Sequence, residues 1–353
     1  MTNASATADP GGQIRSLSFL SPGNFPDNRP EEGLEDTLRL FELGEQLGFN
    51  GAWIRQRHLE HGVSSAAVFL AAASQRTRRI ELGTAVIPMG YESPFRLGED
   101  LSTADVLSRG RLQVGMSAGT PPHAELMADL VFDGDWRTYD FSHQRIARLI
   151  DGLRGDYIGG PDTVIRSPGN VQRPRLQPHA AGLIDRLWYG AASRGSVRWA
   201  AQAGLNLLTG NIVFGEGATG FATAQLAYLD EYLERIAPGR PGRIALGRVV
   251  VPFDGADAST RKRYQAYEAS RHERTLAPQG DRGVLFAPDL VGPSEQIVER
   301  LRADVAVQQV SELRIELPYE FGRDDYVQIL HDVASHVAPQ LGWRPAVTET
   351  PAA

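Results

Sequence analysis

Three stretches of the chain combine residue types that can do chemistry. Gly115, Ser117 and Gly119 spell G-x-S-x-G after an apolar run, the pattern of a serine nucleophile at a strand-to-helix elbow. That elbow needs a helix starting at the serine, and Pro121 and Pro122 come too soon for one. The plainer reading is a turn of small residues that lets backbone approach a ligand. Gly215, Gly217 and Gly220 match G-x-G-x-x-G between an apolar run and a helix-like segment. The acidic ribose partner of that fingerprint would have to end a second strand, yet its place falls inside a helix. His58, Glu60 and His61 could chelate a metal on a helix, but H-E-x-x-H is absent and no third ligand is evident, so no metal is expected. A loop histidine at the C-terminal end of a strand is the more informative reading, because in a barrel that end carries the active site.

Composition removes other chemistries. The 353 residues contain no cysteine, which excludes disulfides, thiolate nucleophiles and cysteine-held metals. Lys262 is the sole lysine and lies in a charged run, so there is no Gly-Lys-Ser/Thr phosphate loop and no buried amine for Schiff-base chemistry. A formal charge of −7 without a basic block argues against a nucleic-acid partner. No apolar run approaches the ~20 residues of a membrane span, and residues 1–13 lack the features of a signal peptide. A soluble cytoplasmic protein is expected.

The elements that must position these residues alternate. Strands are expected at 14–20, 52–54, 80–87, 111–116, 187–191, 205–209, 244–252 and 312–317. Helices are expected at 34–47, 65–75, 95–107, 141–153, 197–203, 221–236, 259–274, 295–307 and 324–341. Residues 117–136, 155–186, 210–220 and 276–292 read as loops rich in Gly, Pro and polar residues. Arg166, Arg173 and Arg175 in the second loop could meet an anion or simply solubilise the surface. About eight strand–helix units fit a closed TIM (β/α)₈ barrel, enlarged by loop insertions at its C-terminal rim, better than an open sheet. One domain over 13–343 is expected, with flexible tails at 1–12 and 344–353.

Several segments, in order, resemble the bacterial-luciferase-like flavin monooxygenases. They are LGFNGAWI at 47–54, IELGTAVIP at 80–88, SPFRLGED at 93–100, LSRGRL at 107–112, YGAASRGSVRWAAQAG at 189–204 and VGPSEQ at 291–296. The resemblance implies a TIM barrel, often a homodimer, that binds reduced FMN at the rim and activates O2 to oxidise a small-molecule substrate. The reduced flavin comes from a separate reductase. It further implies cofactor contacts at Thr84 and Ala85, at Ser117, Ala118 and Gly119, and at a phosphate turn of Ser193, Arg194, Gly195 and Ser196. A helix N-terminus with hydroxyls, a cation and a glycine suits a phosphate dianion, although a serine N-cap would look similar. A non-prolyl cis bond is implied at Ala85–Val86. The family's His-His pair reads Arg57-His58 here, so His58 is the expected acid/base group, with Arg57 acting electrostatically. The family's phosphate-contacting arginine is replaced by Ala118, for which Arg194 could compensate. The alternatives are deazaflavin-dependent hydride transfer and flavin binding without catalysis.

Overall fold

Short apolar strands separated by amphipathic helices must stack their β edges inside and their helices outside. The computed structural model describes residues 12–346 apart from 239 and 241. Eight parallel strands close into a barrel. They are β1 (Ser16–Ser21), β2 (Gly51–Ile54), β3 (Glu81–Pro88), β4 (Leu112–Ser117), β5 (Leu187–Gly190), β6 (Asn206–Thr209), β7 (Ile244–Arg248) and β8 (Glu312–Glu316). Closure pairs β1 with β8, in register from Ser16 opposite Glu312 to Leu20 opposite Glu316. The outer helices are α1 (Pro30–Gln46), α2 (Ala66–Arg76), α3 (Pro94–Ser108), α4 (Ala124–Val131), α5 (Gln144–Leu153), α6 (Arg194–Gln202), α7 (Phe221–Leu233), α8 (Ala258–Arg271), α9 (Ser294–Ala303) and α10 (Arg323–Asp332). None is long and apolar enough to cross a membrane.

Local chemistry sets the helix ends. Pro30 opens α1 and is succeeded by Glu31 and Glu32, which complement the helix dipole. Arg109 takes a left-handed conformation and Gly110 comes next, so α3 stops there and the chain can turn into β4.

The barrel interior is filled in layers. Leu20, Trp53, Ala85, Trp188, Leu208 and Ala245 form an apolar cluster, with Trp53 and Trp188 edge to face at 5.5 Å. At the N-terminal end Arg243 is clamped between Glu81 and Glu312 at 2.7–3.1 Å. Trp188 donates its indole N–H to Gln113 at 2.8 Å, and Gln113 donates to Glu81 at 3.0 Å. Room for the Trp53 indole comes from Gly51 on its own strand and Gly83 on β3.

The rim departs from the expected elements in several places. The strand expected over 244–252 is two, because buried Arg248 is tied outward to Asp304 and Gln225 and ends β7. Val250–Pro252 then pairs with Leu290–Gly292, inside a stretch expected to be loop. The rim loops 210–220 and 276–292 are joined by an antiparallel pair, Ile212–Phe214 with Val284–Phe286. The loop 117–136 contains α4, and the loop 155–186 contains an exposed hairpin, Ile165–Ser167 with Asn170–Gln172. The closing helix 324–341 is α10 continued by a π turn at Val333–Val337 and a tight turn at Ala338–Leu341. Three-residue strands are too short to produce a periodic signal. Residues 1–11 and 347–353 of the expected tails lie outside the described residues, whereas Ala346 donates its N–H to the Gly48 carbonyl at 3.0 Å.

A Cβ on Gly83 would fall 2.1 Å from the Trp53 ring, which is 2 % exposed and cannot move aside. Gly83→Ala is therefore expected to cost about 1–3 kcal/mol by overpacking, read as a lower urea midpoint at unchanged slope.

Candidate functional site

The chain leaves β2 as Arg55-Gln56-Arg57-His58, and Gln56 organises the loop beyond the strand. It is 5 % exposed, and its side-chain oxygen accepts the N–H of Ala66, the first residue of α2, at 3.0 Å. That bond fixes the amide, so its nitrogen donates to Glu92 Oε1 at 2.7 Å and faces His58 Nε2 at 3.2 Å. An amide nitrogen can only donate, so His58 Nε2 accepts and the ring carries its proton on Nδ1. Burial pushes the His58 pKa down, in keeping with a neutral imidazole, and pushes the Glu92 carboxyl up against the Gln56 bond. The His58 ring lies against Tyr91 with centroids 4.6 Å apart, and the Tyr91 hydroxyl donates to the Pro122 carbonyl. Arg145 anchors this turn by donating to the carbonyls of Met89 and Glu92.

The two arginines beside His58 converge on one ring. Arg57 donates to the Tyr319 hydroxyl at 2.8 Å, and Arg55 and Arg57 lie 5.1 and 5.7 Å from the Tyr319 centroid. Arg55 also pairs with Glu316 at 3.2 Å. A cavity of about 190 Å³ opens here, lined by Arg55, Arg57, His58, Ala85, Val86 and Ser117 among others. A larger polar hollow of about 800 Å³ between α1, α8 and α10 shares none of these residues.

The wall is made by β3 and β4. The Ala85–Val86 bond is cis, and the β3–β4 register shifts between Thr84 and Ile87. Thr84 is fully buried and turned between the strands, donating to the Gly115 carbonyl at 2.8 Å and accepting the Gly115 N–H at 2.9 Å. Ser117 ends β4 on the cavity. Ala118 donates its N–H to the Tyr189 hydroxyl at 3.4 Å, and Gly119 donates to the Phe141 carbonyl at 2.8 Å. Tyr189 also meets His143 at 2.9 Å, whose ring stacks on Trp199 at 4.1 Å.

Ser193, Arg194, Gly195 and Ser196 open α6 after β5. Ser193 caps the helix by accepting the Ser196 N–H, with Ser196 reciprocating. The Arg194 guanidinium turns away to Glu231 at 2.9 Å, a carboxylate that also holds Arg198 and Arg235. The Arg194 backbone N–H donates to the carboxylate of Glu216 at 2.7 Å. Glu216 sits in a left-handed conformation (φ 47°) in the glycine-rich loop. This helix start thus already holds an anionic oxygen, and a Cβ on Gly195 would meet nothing within 4 Å.

The fold brings Arg57, His58, Ala85 and Ser117 to one cavity, places the 193–196 turn on the next rim segment and leaves Thr84 as a strand fastener. The stretch after His58 is a loop, with Leu59 left-handed, and His61 faces Asp27 and Phe25. No helix starts at Ser117, which removes the nucleophile elbow. Arg173 and Arg175 pack on Tyr157 at 4.0 and 5.4 Å, and Arg166 sits on the exposed hairpin. Sequence reasoning missed Gln56, Tyr91, Glu92, Tyr319 and Glu316. Gln56 is two residues from His58 and could have been found by proximity; Tyr319 and Glu316 arrive only through closure of the barrel.

A family profile described as luciferase-like monooxygenase matches residues 14–310. The chain belongs to the luciferase-like monooxygenase family. A 110-residue stretch is 36 % identical to limonene 1,2-monooxygenase of Rhodococcus erythropolis, covering 31 % of this chain and 28 % of that protein. The chain thus spans less than a third of that relative's length. Two solved structures share the fold over 93 % of the chain. One is the oxygenating constituent of 3,6-diketocamphane monooxygenase of Pseudomonas putida, in complex with FMN (TM-score 0.64, 14 % identity, 98 % of that chain covered). The other is the coenzyme F420-dependent tetrahydromethanopterin reductase of Methanopyrus kandleri (TM-score 0.58, 14 % identity, 99 % covered).

In this luciferase-like chain burial lowers the pKa of the histidine at the mouth, and Gln56 fixes its tautomer. The His58 ring is expected to titrate below the ordinary value of about 6.5, tracked by its ring-proton chemical shift in NMR. Gln56→Leu removes the donor and should alter the tautomer signature of the ring nitrogens.

Proposed function

We propose that this chain is a reduced-FMN-dependent monooxygenase that uses O2 to oxidise a small organic substrate. The observation that carries the reading is the barrel mouth, where Ala85, Val86 and His58 line one cavity beside an α6 turn that holds an anionic oxygen. The residues fit a flavin. Gly190 makes room for the Val86 side chain, whereas a Cβ on Gly119 would meet nothing within 4 Å, leaving open space at the end of β4 for a planar ring to approach. Ala85, Ser117, Ala118 and Gly119 would border the ring system, and Ser193, Arg194, Gly195 and Ser196 would hold the phosphate. When bound, the flavin supplies the oxygen-activating chemistry.

The chain's own work is to orient and to move protons. His58 offers an Nδ1 proton while Gln56 holds Nε2, and Arg57 adds positive charge at the mouth. A separate reductase would supply the reduced flavin. A homodimer belongs to the same reading: α2 and α3 leave Val68, Phe95, Val106 and Leu107 exposed. Sedimentation is expected to give twice the 38.5 kDa chain mass, and a monomer would remove that part.

A second reading, deazaflavin-dependent hydride transfer, is favoured by Ala118 in place of a phosphate-contacting arginine and by the commitment of Arg194 to Glu231. Titration of the full chain with reduced and oxidised FMN, riboflavin and deazaflavin separates the two. FMN is expected to bind more tightly than riboflavin, and Glu216→Gln should tighten FMN alone by removing the competing carboxylate. His58→Ala should slow substrate oxygenation about 10²–10⁴-fold with FMN affinity kept. Binding of deazaflavin alone, without oxygen uptake, selects the second reading; binding of no cofactor overturns both.

A further inference from the structure

The two ends of the barrel interior treat arginine differently. At the N-terminal end one cation, Arg243, meets two carboxylates, and its Nε, Nη1 and Nη2 all donate to Glu81 or Glu312. At the C-terminal end two cations, Arg55 and Arg314, share the single carboxylate of Glu316, at 3.2 and 3.4 Å. Arg314 is 3 % exposed, lies 5.6 Å from the Trp53 ring, and has no protein partner for Nε or Nη1. The buried Nε of Arg55 is likewise unpartnered. Buried guanidinium donors normally find acceptors, and an uncompensated buried cation is costly. Burial also pulls the Arg314 pKa down, the direction expected for a cation with too few anions around it.

Glu316 is not free to serve more groups. It is packed against the backbone of β7 and of the chain after β6, where a Cβ on Gly247 or Gly210 would lie 2.1 or 2.8 Å from its Oε1. The surplus charge therefore faces the cavity through Arg55, which lines it together with Ala85, Val86 and Pro88. Arg57 adds a second cation on the rim, paired at 3.9 Å with Glu60, which also lines the cavity, so the uncompensated charge is that of the Arg55–Arg314 pair.

We propose that Arg55, backed by Arg314 and held by Glu316, receives the carboxylate of the substrate, so that the substrate class is a small carboxylic acid. A carboxylate matches the guanidinium fork of Arg55, which lines the cavity, and would offset the positive charge that Glu316 alone leaves uncompensated there. The apolar lining of Val86, Pro88 and Pro122 suits a single ring or short chain behind the carboxylate. The inference rests on the proposed reading of this mouth as the active site of a monooxygenase.

Benzoate and its neutral analogue benzamide test it, titrated into the full chain without flavin and monitored by tryptophan fluorescence, since Trp53 borders Arg314. Benzoate is expected to bind at least about tenfold more tightly than benzamide. Arg55→Gln should abolish that preference and Arg55→Lys restore part of it. Glu316→Gln should strengthen benzoate binding several-fold by removing the competing anion, a gain that a purely structural role would not produce. Equal binding of the two probes, no binding of either, or an unchanged preference in Arg55→Gln overturns the proposal. Loss of reduced-FMN affinity in Arg55→Gln with benzoate binding intact overturns it too, by making the flavin the anion. Failure of FMN to bind the wild-type chain, with the benzoate preference present, overturns the flavin reading and leaves this one standing.

Discussion

A closed eight-stranded barrel has an inside that must be filled, and the packing of two indoles there conditions everything above it. Trp53 and Trp188 meet edge to face in the middle of the barrel, with space for the Trp53 indole cleared by Gly51 and Gly83. Each indole brings large apolar area and one polar N–H, which for Trp188 is satisfied by Gln113. With the centre occupied by rings, charged side chains are confined to layers above and below. The lower layer closes on itself through Arg243. The upper layer is the floor of the mouth, so its charge balance becomes a property of the site.

The second constraint acts at the end of β2. A histidine on a loop could turn many ways and exchange protons freely with solvent. Gln56 prevents this because its oxygen is committed to the first N–H of α2. Its nitrogen then has one role, donation, and that sets the tautomer of His58. A glutamine does this more simply than a carboxylate would. A carboxylate would favour the imidazolium, whereas Gln56 leaves the ring neutral and passes its other hydrogen to Glu92. The raised Glu92 carboxyl and the lowered His58 are both consequences of burial, which for Glu92 outweighs the Gln56 hydrogen bond.

Much of the architecture was legible because β–α alternation is written in long periodic segments. The eight barrel strands fall where apolar runs alternate with helical spacing, and the cis bond lies at Ala85–Val86 as the resemblance implied. The rim was less legible. Val284–Phe286 and Leu290–Gly292 are each three residues long, and their partners are distant in sequence, so no local pattern marks them. The site divides in the same way. Arg57 and His58 were visible just after the second strand and Ser117 at the end of the fourth, and Ala85 through the resemblance. Tyr319 and Glu316 were not, because only closure of β8 on β1 carries them across to Arg55 and Arg57. Arg194 was legible by type alone: the sequence does not reveal that its side chain reaches the deeper carboxylate of Glu231 on α7.

The diversion of Arg194 gives Glu216 its importance at the rim. The N-terminus of α6 carries partial positive charge whatever occupies it, and three arginines converge nearby on one carboxylate. An anion there lowers the energy of the turn, and the chain supplies one from its own glycine-rich loop. Glu216 sits between the rim strand Ile212–Phe214 and α7, and its loop is fastened to 276–292 by hydrogen bonds such as Gly215 N–H to the Gly283 carbonyl at 2.9 Å. Any phosphate arriving at α6 must therefore displace a carboxylate that is coupled to a second rim segment. Under the proposed flavin reading, occupation of the α6 turn and the arrangement of the 276–292 loop would be linked through one side chain, with left-handed Gly217 beside Glu216 giving the backbone freedom to let it go.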